Sequence, residues 1–249
     1  MSAPAAAAGR IATRFGVELR LTARRAENLL AMLVIPVTVL VLFTSLDIPG
    51  GETDAVTFLL PGVLALAIVA SGLVNLGIAT AYERHYGVLK RLGGSPLTRG
   101  QLIVAKAAVV LVFDVVQVVV LLGVAARFLG WSPPSTISGG LFAVGILLGT
   151  AAFAGLGLLL AGTLRAEATL ALANGLFLAT LLLGGVVQPL DQLPAPLATI
   201  ASLLPGAALA EILRSALGAS QVDPLASLAI LAGWAVTLPV AAARTFRWD

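Results

Sequence analysis

Asp114 and Gln117 lie one helical turn apart inside an apolar run, Gln101–Ala126. An ionisable group at membrane depth is costly and is by default a candidate for function. It can meet a cationic or hydrogen-bonding substrate along a central path. Alternatively, it can hold helices together as a hydrogen-bonded acid through Asn75 or Asn174. Asn75 and Asn174 alone read as interhelical glue. Other chemistries find no support. Cys is absent, which excludes thiol catalysis, thiolate metal sites and disulfides. A single histidine, His85, excludes a multi-histidine haem or zinc site within one chain, and beside Glu83 it reads as a surface residue. There is no Gly-x-Ser-x-Gly nucleophile with a membrane-embedded His, and no aspartate cluster around Asp114 such as a phosphatidyltransferase needs. A phosphate-cradling G-x-x-x-x-G-K-[ST] loop is also missing, so the chain carries no nucleotide motor of its own.

The elements that must position these residues are membrane helices. Hydrophobic residues make up 59% of the 249 residues and charged ones 11%, against about 25% charged in a soluble domain. The net charge of +3 is too small and too scattered for a nucleic-acid partner. A bilayer core needs roughly 20 helical residues. Six stretches qualify: Leu29–Leu46, Thr57–Ala81, Gln101–Ala126, Ile137–Leu164, Ala168–Val187 and Leu225–Ala243. None alternates as a strand would, so only helices fit. No internal repeat is visible.

Charge sets the orientation. Arg10, Arg14, Arg20, Arg24, Arg25, Arg84, Lys90, Arg91, Arg99, Lys106, Arg165, Arg244 and Arg247 all fall on one side, thirteen of the fifteen basic residues. Only Arg127 and Arg214 fall on the other, with Asp47, Glu52, Asp54, Asp191, Glu211 and Asp223. By the positive-inside rule both termini are cytoplasmic. The Ala-rich start followed by arginines does not read as a cleavable signal.

Three segments are neither spans nor ordinary loops. Residues 9–27 predict an amphipathic helix along the headgroups, with Ile11, Ala12, Phe15, Leu19, Ala23 and Ala26 as its apolar stripe and the arginines elsewhere. Residues 188–224 are apolar but cut by Pro189, Pro194, Pro196, Pro205 and Pro224. They predict a segment dipping into the outer leaflet, with Glu211 and Arg214 three apart on one helix face. The third is the loop Tyr82–Gly100. Leu89 and Leu92 share a face, Gly93-Gly94 ends a short helix, and Ser95-Pro96 suits the start of another. In the fourth span, Gly145 and Gly149 have the small-xxx-small spacing of close helix packing, a weak signal in a Gly-rich helix.

The loop resembles the cytoplasmic signature of the ABC-2 type transporter permeases. Glu83, Arg84, Gly87, Leu89, Leu92, Ser95 and Pro96 match; Lys90 departs where an acid is usual. The stretch 184–194, followed by Leu204-Pro205, is similar to the family's outer segment, and the ending Phe246-Arg-Trp-Asp249 to its carboxyl end. Among branches, the chain looks most like the daunorubicin-type drug-resistance permeases.

The resemblance implies an all-α membrane protein: an amino-terminal interfacial unit (residues 1–28) and a six-helix domain (29–249) with a coupling helix and re-entrant helices. It implies the membrane subunit of an ATP-driven exporter of an amphiphilic compound. Two permeases, copies or paralogues, would pair, each contacting a separate ATPase subunit that carries ATP and Mg, with Glu83 to Pro96 as the coupling site. The chain itself would hold no cofactor. A polysaccharide or cell-envelope precursor is the alternative cargo, and a membrane enzyme or anchor the alternative class.

Overall fold

The computed structural model describes residues 7–24, 26–46, 55–134, 137–185, 192–220 and 222–248. Arg25, Asp47, Glu52, Asp54, Asp191 and Asp249, together with residues 186–191 of the outer stretch, lie outside the described residues. Among the described residues there are helices and turns and no strand. In order they are α1 (Ala7–Ala23), α2 (Ala26–Ser45), α3 (Ala55–Val69), a π-helical segment (Ala70–Leu76), α4 (Gly77–His85), α5 (Val88–Gly93), α6 (Arg99–Phe128), α7 (Gly139–Thr163), α8 (Ala166–Leu183), α9 (Ala195–Ser202), α10 (Pro205–Ala216) and α11 (Leu225–Thr245).

Among the described residues, five helices are long and apolar enough to cross a membrane: Ala55–His85 as one continuous rod, α6, α7, α8 and α11. The apolar part of α2 is shorter, Met32–Ser45. α9 and α10 meet at 81°, the geometry of a broken span or a re-entrant loop. Proline marks both starts, with Pro196 in the first turn of α9 and Pro205 opening α10; there the missing N–H costs nothing. Thr98 and Gln101 form a reciprocal capping box that sets the start of α6.

The core is built around α3, where Leu59, Leu60, Val63, Leu64 and Ile68 are buried. α8 and α11 instead turn much of their apolar surface outward, including Leu170, Leu178, Leu182, Val236 and Val240. That arrangement is stable only where the surroundings are apolar.

Helix α7 is the packing surface for the rest. The Gly145/Gly149 spacing, a weak signal in the sequence, receives α10: Ile212 and Leu213 lie over Gly145, and Leu209 lies over Gly149. Further along, Pro239 of α11 sits where a side chain on Gly155 would stand. Gly157 meets Gly72 and Gly77 backbone to backbone; a Cβ there would clash with the Gly72 carbonyl oxygen. Helices approach this closely because nothing but hydrogen projects between them.

The predicted stripe of α1 is only partly its inward face. Ile11, Phe15 and Leu19 are half-buried, whereas Ala12 and Ala23 are exposed. The most buried residue is Glu18, which faces α6 because Lys106 supplies a countercharge there.

Candidate functional site

One end of the bundle is a joint in which four helices and the carboxyl-terminal residues meet beside α5. Its centre is Lys106, two turns into α6 and 2% exposed. Its Nζ lies 2.9 Å from Glu18 of α1 and 2.8 Å from Glu83 of α4. Glu18 also pairs with Arg14, one turn back on α1. A buried ammonium is tolerated only when paired, and here two carboxylates from different helices converge on it.

Arg84 continues the joint. It donates to the carbonyl of Ala161 at 2.7 Å and to that of Leu164, satisfying the free carbonyls at the end of α7. Gly87 then turns the chain with φ +72°, a left-handed conformation that side chains resist, and α5 begins at once. Ser95 closes the far side, its hydroxyl donating to the Leu92 carbonyl at 2.6 Å and accepting from Leu97 N–H. Pro96 follows on the exposed surface.

Leu89 and Leu92 do not face outward. Leu89 is fully buried in a cluster with Leu102 of α6 and Phe246, and Leu92, Leu97 and Trp248 pack around it. The apolar face that Leu89 and Leu92 share, inside the expected coupling site, thus anchors α5 on its own protein. The three-residue spacing defines a shared face but not its partner. The outward surface is Tyr86, Val88, Lys90, Arg91 and Gly93 to Pro96. Sequence reasoning missed the depth of the carboxyl-terminal clasp. Arg247 N–H donates to the Gly162 carbonyl at 3.1 Å, and the Phe246 and Trp248 rings meet edge to face at 5.7 Å.

Within the bundle, Asp114 is fully buried, and its two oxygens accept from Ser71 Oγ of the π segment and from Thr150 Oγ1 of α7, the latter at 2.6 Å. Asn75 and Asn174, the expected partners, are not bonded to it among the described residues; two hydroxyls at the helix crossing saturate the carboxylate instead. Asn75, Gln117 and Asn174 border a separate cleft between α2, the π segment, α6 and α8. Asp114 is absent from its lining.

Glu211 and Arg214 do pair, at 3.8 Å. Arg214 is otherwise spent on the Gly185 carbonyl and on the face of the Phe58 ring, 4.7 Å from its centroid. Ser220 donates to Glu211 at 2.5 Å. Together they tie α10 to the ends of α3 and α8.

Apolar helices of spanning length around a buried polar crossing define a multi-pass membrane protein, and the anchored α5 gives it an exposed surface loop. Residues 14–217 match the ABC-2 type transporter family, and the chain belongs to that family. It is 32% identical over 190 residues to the "Putative transport permease ycf38" of Porphyra purpurea. That match covers 73% of this chain and 65% of the relative, so the chain spans just under two thirds of its length.

Proposed function

We propose that the chain is the membrane subunit of an ATP-driven exporter, moving a hydrophobic or amphiphilic compound out of the cytoplasm or inner leaflet. Six spans (α2, the α3–α4 rod, α6, α7, α8 and α11) cross a plasma or inner membrane with both termini cytoplasmic. α9 and α10 form a re-entrant pair in the outer leaflet. A second copy or a paralogue completes the pathway, and a separate ATPase subunit supplies ATP and Mg. The loop's resemblance favours the daunorubicin-type branch.

The observation that carries this reading is the way α5 is held. Its inner side is fixed by Leu89, and its outer side carries Lys90 and Arg91 exposed. A push on that outer side passes to α6 through the packing of Leu89 on Leu102 and to α4 through Gly87, and from there to α1 and α7 through Lys106 and Arg84. Coupling needs an element with two discrete arrangements biased by a partner. The π segment directly above α4, with Asp114 bonded to it, is the place in the rod where such a change fits.

The test is reconstitution. The full chain alone in liposomes is expected to hydrolyse no ATP, while the chain with its ATPase hydrolyses ATP and exports an amphiphile. Hydrolysis by the chain freed of every ATPase, or ATP-independent export at the same rate, contradicts the reading.

A further inference from the structure

We propose that the intramembrane cleft bordered by Asn75, Gln117 and Asn174 is a binding site for an uncharged amphiphile bearing a carbonyl, amide or hydroxyl group. The inference deepens the permease reading and rests on it. The cleft encloses about 300 Å³, within the range of pockets that take small organic molecules. Apolar side chains make most of its wall, among them Met32, Val39 and Phe43 of α2 and Phe177 of α8.

Three carboxamides converge on this wall from three different helical segments, and no ionisable side chain is among the lining residues. Gln117 is 97% buried (3% exposed), and its carbonyl oxygen accepts no hydrogen bond among the described residues. A buried acceptor without a donor costs roughly 1–3 kcal/mol, a cost that a ligand donor would remove once the Gln117 amide turns toward the cleft. Asn174 spends one amide hydrogen on the Leu170 carbonyl of its own helix, 2.9 Å away. Amides both donate and accept, so the site reads polar groups without selecting a charge.

The one carboxylate at this depth among the described residues does not compete. Asp114, one turn from Gln117, is closed by Ser71 and Thr150 and stands outside the cleft. An ammonium entering the cleft would lose its hydration with no countercharge to meet, and a carboxylate likewise. Asn75 also borders two further pockets nearer the joint, one lined by Glu18 and Glu83 and one by Tyr82 and Tyr86.

The test uses the full chain in lipid nanodiscs without ATP or ATPase. Three naphthylethyl compounds share one hydrocarbon and carry a carboxamide, a trimethylammonium or a carboxylate. Equilibrium binding is corrected with empty nanodiscs. The carboxamide is expected to bind saturably, at least about tenfold more tightly than either ion, and Gln117→Leu to weaken it by about tenfold. Val39→Trp fills the cleft from α2 without touching an amide and is expected to abolish binding, so the site stays testable if Gln117→Leu does not insert. Ammonium binding as tight as carboxamide binding, no saturable carboxamide binding, or unchanged affinity in Val39→Trp would each overturn the proposal. Carboxamide binding by a chain that never recruits an ATPase would instead overturn the permease reading and leave this site standing.

Discussion

Trp248 lies over Gly93, so close that a side chain at position 93 would meet the indole at 3.1 Å. The carboxyl terminus therefore closes over the end of α5, and α5 is stiff because of residues more than half the chain away. With Phe246 buried beside Leu89 and Leu102, removing the Phe246 ring should cost about 3–5 kcal/mol locally. Phe246→Ala is expected to expose the 86–98 loop to protease while the spans stay inserted. Cleavage at the wild-type rate would show that the clasp does not hold α5.

Lys106→Met takes the countercharge from Glu83 and leaves Glu18 with Arg14 alone, and should destabilise this end of the bundle by roughly 3–5 kcal/mol. Adding Glu18→Gln and Glu83→Gln removes the repulsion and should recover most of the lost thermal stability in detergent. A triple variant no more stable than Lys106→Met would mean that the ion pairs are incidental.

Gly157→Ala should cost at least about 2 kcal/mol, because its methyl group meets backbone that cannot retreat. Gly175 on α8 has nothing within 4 Å of the same added atom, so Gly175→Ala should be neutral or slightly stabilising. Equal melting temperatures for the two variants would contradict the packing of α7 against the π segment.

Asp114→Asn keeps the shape and an acceptor for one of the two hydroxyls, so cationic and neutral cargo should be exported at similarly reduced rates. Selective loss of cation export would return Asp114 to the translocation path.

Much of this was legible in the chain, and the limits have physical causes. Hydropathy places the long helices because the bilayer imposes their length. Gly93-Gly94 marks the end of α5 although Gly94 takes an ordinary right-handed φ of −78°, and the glycine that the backbone needs is Gly87, at φ +72° where α5 starts. Periodicity could say that Leu89 and Leu92 share a face but not that Phe246 covers it, since that contact comes from the far end of the chain. The Arg14–Glu18 pair can be read from a four-residue spacing, whereas Lys106 reaches Glu18 only through tertiary packing. Asn75 and Asn174 drew attention as partners for Asp114 because amides are scarce in membrane helices. Ser71 and Thr150 did the work unnoticed, as hydroxyls are ordinary there.

The central claim is that the outward side of α5 receives an ATPase while its inward side only anchors it. Co-purification of the partner ATPase with the tagged chain, scored beside the chain's own melting temperature, separates the two roles. Lys90→Glu with Arg91→Glu is expected to lose most of the ATPase with melting unchanged, because both side chains are exposed. Leu89→Ala is expected to lower melting by the equivalent of about 2–5 kcal/mol, as a buried anchor does. Full ATPase recovery with the doubly reversed charges, or unchanged melting in Leu89→Ala, would contradict the account.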